Sequence, residues 1–205
     1  MALAKSPVFF VVSAQISAHL YSATKIAEKL SLTAKNARAI TARAGQVAVG
    51  FAAITGFIQE LAISTISLAQ SINMIAIKIS MVATQLERAQ QAQLRFENVI
   101  SRSSDAQYID SIRPMLKQNQ GLIIELNQRF NKLISELSSL LDETAKQIRS
   151  ASVISSMSKI EASQSGQYQN QLEVISENID TSAQQIKSEL NKASQLLSNT
   201  DRKTR

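Results

Sequence analysis

The longest regular pattern in the chain is a stripe of apolar positions that alternate three and four residues apart through its second quarter. Its members are Phe51, Ile54, Ile58, Leu61, Thr65, Leu68, Ile72, Ile75, Ile79, Val82, Leu86 and Ala89. Apolar residues spaced every 3.5 positions keep one helix face against partner helices, as in a left-handed coiled coil. The stripe predicts a helix over 47–101, about 80 Å long, that needs packing partners along its whole length.

Weaker heptad stripes on either side predict three more helices, over about 7–44, 105–161 and 167–199. Their apolar positions are Ile16, Leu20, Ala23, Ala27, Leu30, Ala34, Ala37 and Ala44, then Ile112, Leu116, Ile123, Leu126, Phe130, Leu133, Leu137, Leu140, Ala151 and Ile154, then Leu172, Ile175, Ile179, Ile186, Leu190, Ala193 and Leu197. Ser6 as N-cap and Pro7 at the first helical position predict where the first helix begins.

Polar residues at 102–105 separate the second and third helices. Ser104, followed three positions later by Gln107, has the spacing of a capping box at the start of the third helix. Pro114 lies early in this helix and is compatible either with a kink or with a helix start delayed to that point.

The order of helices and turns predicts the topology. The lengths are short, long, long and short, and glycine-containing turns at Gly45 and Gly166 follow the first and third helices. Folding back and forth would therefore bring these two turns to the same end. We predict an all-α fold, a long antiparallel four-helix coiled-coil bundle forming a single domain over 1–200, with 201–205 as a disordered basic tail.

Composition excludes several kinds of chemistry. The chain has no cysteine and a single histidine, His19, so disulfides, thiolate nucleophiles and multi-histidine metal sites are excluded. The carboxylates recur at heptad spacing and do not converge on one pocket. We therefore expect a non-catalytic protein without metal or cofactor, in which His19 is a surface or half-buried residue.

Charge and hydropathy argue against nucleic acid and membrane as partners. The formal net charge is +6, but basic residues are spread along the helices and aromatic residues make up only 4% of the chain, so a nucleic-acid interface is not expected. Polar residues such as Gln59, Glu60 and Lys78 interrupt the apolar run 47–82 at helical spacing, which favours a buried amphipathic helix over a stable membrane span. We expect a cytoplasmic protein.

The most specific sequence motif lies at the first turn. Residues 36–52 read NARAITARAGQVAVGFA, and nine of them follow the pattern NAA-x-EAARAGE-x-G-x-GFAVVA, namely Asn36, Ala37, Ala42, Arg43, Ala44, Gly45, Gly50, Phe51 and Ala52. The segment resembles the tip of the cytoplasmic signalling hairpin of bacterial chemoreceptors (methyl-accepting chemotaxis proteins). The resemblance covers about 26–62 and is weak elsewhere.

The resemblance implies a protein that binds partners through its tip. Chemoreceptor tips bind a histidine kinase and its coupling protein, and they contact neighbouring receptor tips. The positions carried over as partner-binding residues are Asn36, Arg43, Gly45, Gly50, Phe51 and, from the second turn, Glu161. We expect a monomeric chemoreceptor-like signalling or adaptor protein for chemotaxis, able to associate further through the tip.

The chain departs from the chemoreceptor pattern within the contact region. Ile40 stands in place of a glutamate, Glu28 of a phenylalanine, Lys35 of a leucine and Ala53 of a valine. A charge in place of an apolar side chain weakens an interface if it is left unpaired. Two alternatives therefore stay open: a structural coiled coil that kept only the fold, and a membrane-inserting bundle that releases 47–82.

The two halves of the chain also resemble each other. Aligning Gly45 with Gly166 places Phe51 opposite Leu172, and Glu161 falls where the chemoreceptor pattern has its tip glutamate. The alignment predicts a pseudo-repeat of 7–102 and 105–200, so that one chain would resemble a receptor dimer. The other explanation is that heptads align with heptads in any coiled coil.

Overall fold

A computed structural model describes residues 6–102 and 109–204, with side chains described over 11–102 and 109–199. The helices are α1 (Ser6–Ala44), α2 (Val49–Arg102), α3 (Arg113–Ser163) and α4 (Gln169–Thr204). Short 3-10 turns precede the last three, at Gly45–Ala48, Ile109–Ile112 and Gly166–Tyr168. The described ranges contain no strand, which confirms the all-α prediction.

Two helix boundaries differ from those expected. Instead of beginning near 105, α3 begins at Arg113, with Pro114 in its first turn, where the missing N–H of proline is tolerated. The delayed start is therefore the alternative observed at Pro114, whereas the capping box of Ser104 and Gln107 lies outside the described residues. The last helix continues to Thr204 through most of the expected tail, because no glycine or proline follows Gly166 to stop it.

Each helix packs against two others. α1 lies against α2 and α4, and α3 lies against the same two helices. α2 and α3 run antiparallel, because Ser64 donates to Gln147 (2.6 Å) toward one end of the pair and Asn119 donates to Gln93 (3.1 Å) toward the other.

The other helix pairs are hairpins closed by the glycine-containing turns. Ser31 and Gln59 hydrogen-bond across α1 and α2 (3.0 Å), and Lys159 reaches Asp180 across α3 and α4 (3.4 Å). Both turns lie at one end of the molecule, as the sequence predicts.

One continuous apolar core joins the four helices. The predicted stripe of α2 is confirmed, since every member is buried except the half-buried Leu68. The prediction for α3 is less accurate. Leu140 and Ile154 are only half-buried, whereas the buried face also includes Leu141, Thr144, Ile148, Ser155 and Ser158. The hydroxyls of Thr144 and Ser158 donate to carbonyls of their own helix (2.7 and 2.8 Å), which satisfies these groups inside the core. Because both residues are polar, the apolar pattern of the sequence does not mark their positions as buried.

Burial recurs along the chain at a spacing of 121 residues, the separation of Gly45 and Gly166. In α1 the buried positions include Val12, Ile16, Leu20, Ala23, Ala27, Leu30, Ala34, Ala37 and Thr41. The residues 121 positions later are Leu133, Leu137, Leu141, Thr144, Ile148, Ala151, Ser155, Ser158 and Ala162, and all of them are buried. The two hairpins therefore share one core register, measured from their turns.

The middle helices extend beyond the outer ones. α2 and α3 have 54 and 51 residues, whereas α1 and α4 have 39 and 36. Since each helix has one end at the two turns, the excess of about 22 Å lies at the opposite end as a pair of helices. We call residues 90–102 and 109–125 the stalk, because none of them is buried, and the remaining described residues the body.

Candidate functional site: the two-turn tip

Two glycines with left-handed backbone conformations form the tip of the molecule. Gly45 has φ of 60° and Gly166 has φ of 53°, a region that residues with a Cβ rarely adopt. Each glycine opens a 3-10 turn that leads into the next helix. The turns touch, since a Cβ on Gly166 would lie 3.4 Å from Cγ1 of Val47. The fold thus brings two equivalent turns together in one surface, which we call the tip.

The tip also brings together two predicted site residues that are distant in the sequence. A Cβ on Gly50 would overlap the carboxylate of Glu161, so the Glu161 side chain lies directly over the glycine. Both residues are half-buried. Gly50 therefore provides the space that Glu161 occupies at the junction of the two hairpins.

The other predicted residues divide into surface and interior positions. Asn36 and Arg43 are exposed on α1, two helical turns apart and so on one face. Among the described residues, Arg43 makes no ion pair, which leaves its guanidinium available to a partner. Phe51 is fully buried, so it supports the tip from the core and does not contact a partner directly.

Apolar tip residues that the sequence analysis did not single out are exposed. Val47, Val49 and Ile160 expose 54%, 62% and 58% of their surface. They lie beside the turns and outside the heptad stripes, and that position in the sequence is the signal that could have identified them. Exposed aliphatic side chains on a rigid surface are suited to protein contacts.

The charge of the tip is predominantly basic. Lys35, Arg38, Arg43 and Lys159 are the basic residues of 35–50 and 158–171, against the single acidic residue Glu161. A basic surface that also exposes apolar residues favours a protein partner with an acidic surface.

The single histidine lies far from the tip, between α1 and α4. His19 Nδ1 is 2.7 Å from Oε2 of Glu189, whose other oxygen accepts from Lys192 at 2.6 Å. The hydrogen bond from Lys192, with that of His19, lowers the pKa of the Glu189 carboxyl below its ordinary value of 4.5. This arrangement links two helices. Over the described ranges, no group of three or more His, Cys, Asp or Glu residues could hold a metal ion.

Comparisons with known proteins add no relative. No protein-family model matches the chain, and no curated protein or solved structure does either. Within the described residues, Val11–Arg102, the range of the α1–α2 hairpin, contains an 18-residue window apolar enough to cross a membrane by length and composition, and 39% of that window is buried.

Proposed function

We propose that this protein is a non-catalytic adaptor that binds chemosensory proteins through its tip. In this proposal the chain is a long antiparallel four-helix coiled-coil bundle that resembles a chemoreceptor dimer in one chain, with 7–102 and 105–200 as the two hairpins. The partners are a chemotaxis histidine kinase and its coupling protein, or receptor tips, in the cytoplasm.

The observation that carries the proposal is the contact between the two turns. The nine-residue match to chemoreceptors lies at the first turn, and the second turn repeats its left-handed glycine at Gly166 and lies against Val47. Glu161 is carried over from the second turn and lies over Gly50 of the first. The shared core register of the hairpins supports the same proposal, because a receptor dimer also presents two equivalent turns side by side.

The exposed chemistry of the tip indicates how it would bind. Arg43 can form forked, charge-assisted hydrogen bonds to a carboxylate, and Asn36 on the same face can donate and accept. Val47, Val49 and Ile160 add apolar area around them. The partner surface should therefore be acidic, with an apolar centre.

A binding titration tests the proposal directly. The purified chain is titrated with a chemotaxis coupling protein and with the regulatory domain of its kinase, and Arg43→Glu is compared with Arg149→Glu. Arg149 is exposed in the middle of α3, so its reversal changes net charge equally without touching the tip. We expect saturable binding that Arg43→Glu weakens at least tenfold, about 1.4 kcal/mol, and that Arg149→Glu preserves. Equal effects of the two variants, or no saturable binding, would contradict the proposal.

A membrane-inserting protein is the second candidate, favoured by the apolar stretch Val11–Arg102. Several apolar side chains of α2 are exposed on the body, namely Phe57, Ile63, Met74, Ile77 and Met81. Release of a dye trapped in lipid vesicles tests this candidate. Leakage that rises with protein concentration would favour it over the adaptor, whereas intact vesicles would exclude it.

A further inference from the structure

The stalk exposes apolar residues on the sides of α2 and α3 that are directed toward α1 and α4 in the body. On α2, Gln59 contacts α1 through Ser31, and Leu94 lies on the same heptad stripe 35 residues later. On α3, Lys159 contacts α4 through Asp180, and Ile124 lies on the same stripe 35 residues earlier. Leu94 is 52% exposed although its stripe is half-buried along the body, because α1 does not extend along the stalk in the described part of the chain. Ile124 is 60% exposed, on a stripe whose polar members are mostly exposed along the body as well.

The seam between the stalk helices is also incompletely covered. Phe96 and Ile100 of α2, and Leu116 and Ile123 of α3, continue the core stripes of the body but are only half-buried. Two helices bury one side of such a seam, whereas four bury it from all sides. Within the described residues, the open face of the stalk therefore leaves room for two helices of about 22 Å, antiparallel to each other.

We propose that a second copy of this chain supplies those two helices, so that two stalks pack side by side in opposite directions. The stalk of another copy has the required number and length of helices, and these are antiparallel to each other; its α3 would run parallel to α2, whereas α1 runs antiparallel to α2 in the body. In such a dimer the apolar core of each body would continue through the joint, with α2 of one copy against α3 of the other, and the two tips would point away from each other, about 140 Å apart.

The charges on the open face agree with this packing. Glu97 lies on the α1-facing side of α2 beside Leu94, and Lys117 lies one heptad before Ile124 on the α4-facing side of α3. No ion pair within the described residues involves either side chain. Packing of α2 against α3 of a second copy would bring carboxylate and ammonium groups of opposite sign together, whereas α2 against α2 would oppose like charges.

Sedimentation equilibrium of the full chain tests the proposal. We expect a concentration-dependent dimer with a Kd on the order of 10 μM, typical of a small interface. Leu94→Glu and Ile124→Glu should each make the protein monomeric while leaving its helical content unchanged, since both side chains are exposed. Val174→Glu, at a position 57% exposed on α4 of the body, is the matched control and should remain dimeric.

Charge reversal tests the pairing of the helices. Glu97→Lys and Lys117→Glu should each weaken the dimer roughly three- to tenfold, and the double variant should recover it, because the reversed charges meet across the two copies. A wild-type protein that stays monomeric up to about 500 μM would overturn the proposal. So would a dimer that Arg43→Glu abolishes and Leu94→Glu does not, since it would form through the tip. These outcomes do not depend on whether the tip binds a chemosensory partner.

Discussion

The two hairpins of this molecule place their core residues at the same distances from their turns but build them from different side chains. Phe51 and Leu172 are equivalent in position, and both are fully buried. Ala37 of α1, however, corresponds to Ser158 of α3, and both are also fully buried. The comparison teaches that the register of a helix in the core depends on the distance from the turn and the heptad frame, and less on how apolar each residue is.

The contacts between the hairpins show the same difference. α1 meets α4 through His19 and Glu189, whereas the equivalent positions where α3 meets α2 are occupied by the half-buried Leu140 and Leu68. One junction is therefore polar and sensitive to pH, and the other is apolar. Five measurements test how far the two hairpins are equivalent.

Truncation of the equivalent core residues should have the largest effect. Phe51→Ala should lower the free energy of unfolding by about 3–5 kcal/mol and Leu172→Ala by about 2–5 kcal/mol, because each leaves a cavity in a fully buried layer. Urea unfolding followed by circular dichroism measures both. A loss below about 1 kcal/mol for Leu172→Ala alone would show that the second hairpin does not pack as tightly as the first.

Replacing either turn glycine with a residue that has a side chain should lower stability by a similar amount. Gly45→Ala and Gly166→Ala should each cost about 1–2 kcal/mol, because φ is positive at both positions. A Cβ at position 166 would make an ordinary van der Waals contact with Val47 and one at position 45 meets nothing, so packing should not separate the two costs. Asparagine, which tolerates this conformation better, serves as the milder control in thermal melts. A neutral Gly45→Ala would mean that this turn adopts another conformation in solution.

Because Gly50 contacts Glu161, the effect on stability of a substitution at one position should depend on the residue at the other. Alone, Gly50→Ala should change stability little, because its higher helix propensity is offset by displacement of the Glu161 side chain. In a Glu161→Ala background the same change should stabilise the protein by about 1 kcal/mol. A double-mutant cycle of unfolding free energies measures the coupling, and a coupling of zero would mean that the two hairpins do not meet there.

Exchanging the equivalent small residues should have opposite effects in the two hairpins. Ser158→Ala should stabilise the protein by about 0.5 kcal/mol, because alanine has the higher helix propensity and the carbonyl of Ile154 remains available to the helix. Ala37→Ser should destabilise by a similar or larger amount, since it adds a hydroxyl to a fully buried position. Unfolding of each variant beside the wild type measures both changes in free energy. Changes of the same sign would contradict the equivalence of these sites.

The smallest effect concerns pH. Because Lys192 and His19 lower the pKa of Glu189 in the folded protein, the unfolded chain takes up a proton first as the pH falls. The stabilisation is therefore fully present above about pH 4.5 and is lost as the pH falls through the lower pKa of the folded state. Glu189→Gln should remove a few tenths of a kcal/mol of this dependence, and Glu177→Gln, at an exposed position of the same helix, is the matched control. Identical pH profiles for wild type and Glu189→Gln would contradict this assignment.

Much of the fold could be predicted because its strongest signals are local. The stripe from Phe51 to Ala89 is recognised from its heptad spacing alone. The two turns are recognised from their glycines, which have no Cβ. The half of α3 nearest the tip was harder to predict, because Ser155 and Ser158 have polar side chains but are buried in the structure. The site was predicted in its first half from a motif, and the chemoreceptor function it implies stays a prediction.

What the sequence alone determined is the set of elements: helical segments, their apolar faces and the positions of the turns, all of which follow from spacing within a few residues. Only the tertiary structure decided which surfaces those elements leave open. The contact of Gly50 with Glu161 depends on how the two hairpins dock, and the exposure of Leu94 depends on how far the neighbouring helix extends. These properties belong to contacts between residues distant in the chain, so no local pattern specifies them.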